Sequence, residues 1–220
     1  PDDDPPAIRP GAAPLRGAPK CALLPFIENA SSSVTVLPTN RAPASSNCFT
    51  AGAVLAGELN LTGVLDPKAG AFTTGNQLTL KSNATTTAMI ATVTGSISGQ
   101  MTVERYIPSK RAFRFITPTT DGGTIRTGWQ ENGVDVAGWG TDITGTGGAA
   151  NGFDPSGSNN PSLYTYLNSG TGNSWVAATT TSTALVAGVP YRLMVRGDRT
   201  VNQFLNDSPS SITTLRTHGT

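Results

Sequence analysis

The sequence holds a single histidine, His218, and this scarcity excludes two kinds of catalytic site. A serine or cysteine triad needs an imidazole as its general base. Zinc hydrolases likewise depend on histidine ligands. His218 stands in a polar segment near the C-terminal end, where we interpret it as a solvent-exposed side chain. The sequence therefore predicts neither class of hydrolase.

Charge is also scarce, since Asp, Glu, Lys and Arg make up 13% of the residues and the net charge is +1. An ordinary globular protein has about 25%. A nearly neutral chain predicts no nucleic-acid partner. No run approaches the roughly 20 apolar residues of a membrane span, so we expect a soluble chain without direct membrane insertion. Glycine, threonine, serine and asparagine are abundant, which is typical of turn-rich extracellular β proteins.

Only two cysteines are present, Cys21 and Cys48. In an oxidising compartment this pair predicts a disulfide, with two unpaired thiols as the alternative. Two thiols without a nearby imidazole do not favour a metal site. The sequence therefore predicts no cofactor, and structural calcium is kept as an alternative although no spaced calcium-loop pattern is present.

Residues 1–50 are predicted to form a proline-rich tail, a disulfide-closed segment and one isolated strand. The prolines of residues 1–20 exclude helix and central strand. The strand spans Ser31 to Leu37, and Val34, Val36 and Leu37 are its candidate pairing residues. Such a strand can complete a sheet of its own chain or that of a neighbouring subunit.

Residues 51–107 contain a weak repeat in which a glycine precedes an alternating apolar pair. Leu59, Leu78 and Met101 recur at intervals of about 20 residues, a spacing typical of β-solenoid rungs. An antiparallel sheet is the alternative. The repeat predicts a short β-solenoid-like or stacked-hairpin region.

Residues 108–220 have the pattern of an antiparallel β-sandwich of the jelly-roll or immunoglobulin-like kind. The connection from Gly138 to Pro161 is predicted to be a surface loop, where function usually resides. The segment from Gln100 to Phe115 alternates and joins this region to the preceding one. The six predicted strands are Arg111 to Thr117, Thr124 to Gln130, Ser162 to Leu167, Ser174 to Ala178, Pro190 to Arg196 and Ser211 to Arg216.

The alternation also predicts which side chains of these strands are exposed to solvent. Phe113 and Phe115 are expected to supply apolar faces. The basic residues of the same region are expected to form the solvated face of a sheet; they are Arg105, Lys110, Arg111, Arg114 and Arg126.

Several segments between Leu59 and Thr220 together resemble the large, repeat-containing Bacteroidota (Flavobacteria/Cytophaga-type) cell-surface proteins exported by the type IX secretion system. The resemblance implies an extracellular location and a longer parent chain ending in a sorting domain. None of the segments is a catalytic signature. They include Leu59-Asn-Leu-Thr-Gly-Val-Leu65, Val103-Glu-Arg-Tyr-Ile-Pro108, Arg111-Ala-Phe-Arg-Phe115, Asn151-Gly-Phe-Asp154 and Pro190-Tyr-Arg-Leu-Met-Val-Arg-Gly-Asp198.

Aromatic and acidic side chains are the candidate ligand contacts. Tryptophan and tyrosine rings suit sugar surfaces or fill a core; they are Trp129, Trp139, Trp175, Tyr164 and Tyr166, of which Trp139 lies in the glycine-rich loop. Carboxylates can act in pairs in glycosidases, hold calcium, or cap solvated turns; those near the loop are Asp121, Glu131, Asp135, Asp142 and Asp154. The predicted contact set is Trp129, Trp139, Asp142 and Asp154.

The tripeptide Arg196-Gly197-Asp198 matches an integrin-type motif, but three residues carry little specificity, and we interpret them as a turn. Our leading hypothesis is a non-enzymatic extracellular structural or adhesive module that contacts neighbouring copies or other surface proteins. The alternative is a carbohydrate-binding module with a polysaccharide partner. A glycoside hydrolase is the third hypothesis.

Overall fold

The computed structural model of the chain describes residues 34–36, 53–65, 67, 70–168, 172–205 and 207–220. β-Strands dominate, and helical residues within these ranges are confined to two short 3₁₀ turns, Glu131–Gly133 and Gly148–Asn151. The predicted all-β class is confirmed. Leu37, Cys21 and Cys48 lie outside the described residues, so the disulfide stays a prediction.

The described residues contain fourteen strands, numbered in chain order. They are β1 Val34–Val36, β2 Ala53–Leu55, β3 Leu59–Leu61, β4 Val64–Leu65, β5 Ala71–Thr73, β6 Leu78–Leu80, β7 Met89–Ile90, β8 Ser96–Ser98, β9 Met101–Ile107, β10 Ala112–Ile116, β11 Leu163–Asn168, β12 Asn173–Ala177, β13 Tyr191–Val195 and β14 Thr213–Gly219.

The strands of the repeat region stack on one another in parallel. β2, β5 and β8 pair in parallel in one sheet, β3, β6 and β9 in a second, and β4 with β7 in a third. Leu59 pairs with Leu78, and Leu78 pairs with Met101. The three residues that mark the sequence repeat are therefore neighbours in register. β1 pairs antiparallel with β2 of its own chain.

β3 and β6 each bury two leucines, and β9 continues the row with the half-buried Met101 and Val103. We call these three paired strands the leucine stack. In β6, Leu78 and Leu80 are 1% and 4% exposed, while Thr79 between them faces outward and is half-buried. Period-two alternation places the two leucines on the same side of the strand. Gly75, just before β6, has φ +57°, and a Cβ there would lie 2.8 Å from the carbonyl oxygen of Leu55. The backbone conformation before β6 therefore requires a glycine at position 75.

Strand β9 joins the parallel stack to the remainder of the chain. Its first three residues pair with β6 in parallel, and its whole length pairs antiparallel with β14. The chain then passes Pro108 and enters β10, which belongs to a different sheet. β9 is therefore part of both the leucine stack and the C-terminal half.

The C-terminal sheet has the strand order β10-β13-β11-β12, with antiparallel pairing throughout. One of its faces contributes buried side chains to a core that it shares with β9, β14 and the connections between strands. That core contains Ile107, Ile125, Trp129, Ile143, Phe153, Leu163, Leu185, Tyr191, Leu193, Val195 and Leu215.

The predicted strand from Thr124 to Gln130 is wrong, because the segment folds into consecutive turns. The hydroxyls of Thr124 and Thr127 bond to local backbone and to each other, and such bonds compete with a strand ladder. The amide of Gly128 donates to the Thr124 carbonyl at 2.9 Å. These turns direct Ile125 and Trp129 into the core.

The connection from Gly138 to Pro161 is not simply a surface loop, because residues 140–145 are buried. Its backbone groups are satisfied by other connections: Thr141 donates to the Trp129 carbonyl at 2.8 Å and Asp154 to the Ile143 carbonyl at 2.8 Å. A buried connection must pair its polar backbone groups. This segment is therefore part of the interior that the C-terminal sheet covers.

His218 is also placed differently from the prediction. It lies in β14, half-buried, and its Nδ1 is 3.0 Å from the hydroxyl of Thr102 on β9. Burial and then the nearby Arg216 charge lower the pKa of the imidazole. The interpretation of a solvated terminal histidine was wrong because β14 continues three residues beyond the predicted strand end at Arg216.

Candidate functional site

The outward face of the C-terminal sheet carries a cluster of aromatic side chains. Directly opposite residues of antiparallel strands share a face. Phe115 pairs with Arg192, Arg192 with Tyr164, and Tyr166 with Trp175, so these side chains lie on one side. Leu193, the neighbour of Arg192 along β13, is 0% exposed on the other side. We call Phe113, Phe115, Tyr164, Tyr166 and Trp175 the aromatic face.

The rings of the aromatic face contact one another across the strands. Phe115 lies 5.6 Å from Trp175, Trp175 lies 5.1 Å from Tyr166, and Phe113 lies 6.2 Å from Tyr164, each measured between ring centroids. All three pairs are tilted, a favourable arrangement for aromatic rings. Phe115 is nevertheless 74% exposed and Tyr166 40% exposed. The cluster therefore remains open to solvent.

Arg192 stands in the middle of the aromatic face. Its guanidinium carbon lies 4.0 Å from the Phe113 ring centroid and 5.4 Å from that of Tyr164. The Tyr164 hydroxyl donates to the Pro161 carbonyl at 3.0 Å, which fixes that ring. Arginine stacks on aromatic faces by cation–π attraction. The result is a positively charged group held among exposed rings.

The alternation in the sequence correctly separates the residues of β10 into two faces, but the face with the arginine is the less exposed one. Phe113 and Phe115 point outward and are exposed, whereas Ala112, Arg114 and Ile116 on the other side are half-buried. The Nε atom of Arg114 is buried, and its Nη2 donates to the Lys110 carbonyl at 3.3 Å. The predicted solvated role of Arg114 is therefore wrong.

Trp139, a predicted ligand contact, is half-buried between two cations. The guanidinium carbon of Arg216 lies 4.4 Å from the ring centroid, and Nζ of Lys81 lies 5.4 Å away. Arg216 forms an ion pair with Glu131, and Lys81 one with Glu104 at 2.5 Å. Since Lys81 follows β6 and Arg216 lies in β14, the ring links the leucine stack to the C-terminal half.

Trp129, another predicted contact, lies in the core with 1% of its surface exposed. Its ring meets the Tyr191 ring edge-on, with centroids 5.3 Å apart. In this position it fills the space beneath the C-terminal sheet and does not reach a ligand at the surface. The alternative interpretation of Trp129 as a core residue is the one that the structure shows.

Asp142 and Asp154, the two predicted acidic contacts, are buried around Arg199. Nη1 of Arg199 lies 3.3 Å from Asp142 and 3.0 Å from Asp154. Asp154 also accepts hydrogen bonds from the amide of Ile143 at 2.7 Å and from Nε2 of Gln130 at 2.6 Å. We call Asp142, Asp154 and Arg199 the buried ion cluster.

The buried ion cluster perturbs one of its carboxyl groups. Burial, followed by the charge of Asp154, raises the pKa of Asp142 to about 7, and Arg199 opposes the shift. Burial disfavours the charged form of a carboxyl group, and a like charge adds to the effect. The cluster therefore holds connections of distant sequence together, with a carboxyl group that titrates near neutrality.

The other acidic candidates also contact groups of the protein itself. Asp121 accepts a hydrogen bond from the amide of Ala187 at 2.7 Å. Glu131 forms an ion pair with Arg216. Asp135 is exposed and lies 3.5 Å from Arg199. Within the described residues, no three His, Cys, Asp or Glu side chains are grouped so that they could hold a metal ion.

The Arg196-Gly197-Asp198 tripeptide forms a turn in which the acidic residue is used internally. Asp198 is 6% exposed. Its carboxylate accepts hydrogen bonds from the amides of Gly138 at 2.7 Å and Thr200 at 3.0 Å. Gly197 has φ +145°, which favours glycine. The interpretation as a turn agrees with this geometry.

Comparison of the chain with protein families, with curated proteins and with solved structures finds no match. Among the described residues, no helix has the length and apolar character that crossing a membrane requires. The aromatic face is therefore the candidate site on geometry alone. Alternating aromatic residues on predicted strands are the sequence signal for it, but alternation predicts only that Phe113 and Phe115 supply an apolar face.

Proposed function

We propose that the chain is a non-enzymatic, extracellular adhesive module that contacts its partner through the aromatic face. The single observation that carries the proposal is the exposure of touching rings on a regular sheet. Phe115 is 74% exposed, yet it is in ring contact with Trp175. Exposed clusters of large apolar side chains on soluble proteins mark interaction surfaces.

The remainder of the fold supports a rigid presentation of that face. We propose that the parallel strands are rungs of a short β-solenoid and that the C-terminal half is a β-sandwich mounted on it. Strand β9 runs through both parts, and Trp139 bridges them through Lys81 and Arg216. Sites on strands are held more rigidly than sites on loops. An extracellular location is supported by the low charge content and by the resemblance of the sequence.

Adhesion of coated microspheres tests this function. Beads carrying the full chain are washed over surfaces coated with acidic polysaccharides, neutral polysaccharides, extracellular proteins or the chain itself. We expect retention on at least one surface and its loss in the double variant Phe115→Ala, Trp175→Ala. Phe204→Ala is the matched control because Phe204 is 65% exposed and takes no part in the ring contacts of the aromatic face.

Two results would contradict the proposal. One is the absence of retention on every surface. The other is equal retention of the wild-type beads and of the double variant, with the variant shown by circular dichroism to be folded.

A further inference from the structure

We infer that the ligand of the aromatic face is an acidic polysaccharide, whose sugar rings stack on the aromatic rings while its carboxylates pair with Arg192. This inference rests on the proposed adhesive function and names the partner. It follows from the shape of the face and from its charge.

The shape suits sugar rings. Phe115, Trp175 and Tyr166 come from three strands and form a continuous series of ring contacts with centroid separations of 5.6 and 5.1 Å. The apolar C–H surface of a sugar packs on such rings. Extended peptides bind instead to an unpaired strand edge or in a groove with pockets. The aromatic face is the flat surface of a paired sheet.

The charge of the face is one-sided. Arg192 is the charged residue among the outward positions of β10, β11, β12 and β13, and none of those described positions is Asp or Glu. No carboxylate of the described residues forms an ion pair with Arg192. A guanidinium stacked on rings keeps its N–H edge for bidentate bonding to a carboxylate. The aromatic face is therefore complementary to an anion.

Two further arginines, Arg111 and Arg196, lie at the end of β10 and β13. Ala112 pairs with Val195, so the preceding Arg111 and the following Arg196 continue the same register. Burial and then the charge of Arg111 lower the pKa of Arg196, while the charge of Asp142 raises it. Nη1 of Arg196 is buried and has no hydrogen-bond partner. The cation that the aromatic face itself presents is therefore Arg192.

Isothermal titration calorimetry of the full chain with polygalacturonate tests the inference. The comparison polymers are carboxyl-reduced polygalacturonate, which keeps the sugar backbone without the charge, and polyglutamate, which keeps the charge without the sugar. We expect binding of polygalacturonate only, with affinity that falls as salt is raised.

Variants separate the two contributions. Arg192→Gln should weaken binding about tenfold or more, because a charge-assisted hydrogen bond is lost, and Arg192→Lys should recover part of the loss. Arg105→Gln, an exposed arginine on β9, is the matched charge control and should bind like wild type. Phe115→Ala should weaken binding without removing the salt dependence.

Each alternative outcome overturns the inference in a distinct way. Equal binding of the carboxyl-reduced polymer identifies a neutral glycan, and equal binding of polyglutamate identifies a charge-only or acidic-peptide site. Equal effects of Arg192→Gln and Arg105→Gln remove Arg192 from the site. If none of the three polymers binds while beads still adhere to another surface, the inference fails and the adhesive function stands. If beads adhere to nothing, the function itself fails.

Discussion

The ring of Phe115 contacts the ring of Trp175 across the whole C-terminal sheet. Phe115 lies in β10 and Trp175 in β12, the two ends of the strand order, yet the ring centroids are 5.6 Å apart. Both rings lie over β13 and β11 on the side away from the core. Their contact stabilises each ring on a surface that leaves Phe115 74% exposed.

A double-mutant cycle should show that this contact contributes to stability. Phe115→Ala and Trp175→Ala, alone and together, are expected to give a coupling of about 0.5–1.5 kcal/mol in the free energy of unfolding, which is typical of aromatic pairs. Urea denaturation measures each value. The control cycle pairs Phe115→Ala with Phe204→Ala, which should add within about 0.5 kcal/mol. Coupling no larger than that of the control would show that the rings do not interact in solution.

Leu78→Ala tests the parallel stack. Leu78 is 1% exposed at the centre of the Leu59, Leu78 and Met101 row, so removing its side chain leaves a cavity between two rungs. We expect a loss of about 2–5 kcal/mol in the free energy of unfolding. Thr79→Ala on the same strand is the matched control, because Thr79 points away from the leucines. Similar losses for the two variants would contradict the stack.

The same row explains why part of the fold was predictable from the sequence. Parallel strands that pack an apolar pair against one another repeat that pair and the glycine before it, so Leu59, Leu78 and Met101 recur at a visible interval. Five of the six strands predicted after Pro108 are also present. In β13 and β14 the alternation reflects one buried face. The strand predicted from Thr124 to Gln130 is absent, because the threonine hydroxyls form hydrogen bonds within the segment that compete with pairing to another strand.

The aromatic face and the buried ion cluster could not be predicted from single strands. Alternation says that Phe115 and Arg114 lie on opposite sides of β10, but not which side meets the core. That choice depends partly on core residues that come from distant connections, such as Trp129, Ile143 and Phe153. Likewise Arg199 meets Asp142 and Asp154 only because separate connections are folded together. No pattern within a single segment of the sequence predicts a contact between residues so far apart in the chain.

Removing Arg199 should be strongly destabilising. Its side chain is 3% exposed and contacts two buried carboxylates, so Arg199→Met leaves both of them without their cation. We expect a loss of about 3–5 kcal/mol in the free energy of unfolding, as found when one partner of a buried ion pair is removed. Arg105→Met, at an exposed position, should change the value by less than about 0.5 kcal/mol.

A second variant keeps this test informative if Arg199→Met does not fold. Arg199→Lys retains the charge but loses the fork that holds Asp154 at 2.8 and 3.0 Å, and should show an intermediate loss in urea denaturation. A variant as stable as wild type would show that the cluster contributes nothing to the fold.

Asp142 should make the stability of the chain fall as pH rises. Burial raises its pKa from 3.8 to about 7 in the folded state, so between those values the folded chain binds more protons than the unfolded chain. The free energy of unfolding then decreases with pH by up to about 1.4 kcal/mol per unit, and this contribution levels off above pH 7.

Asp142→Asn isolates this contribution. Because the amide does not ionise, the variant should gain stability relative to wild type as pH rises from 4 to 7, measured by urea denaturation at several pH values. Thr79→Ala is the control and should keep the wild-type slope, because a threonine side chain does not titrate in this range. A difference between Asp142→Asn and wild type that stays constant with pH would mean that Asp142 is ionised throughout this range. The positive charge of Arg199 would then offset the burial of the Asp142 carboxyl group completely. The geometry argues against this, because Nη1 of Arg199 contacts both Asp142 and the closer Asp154.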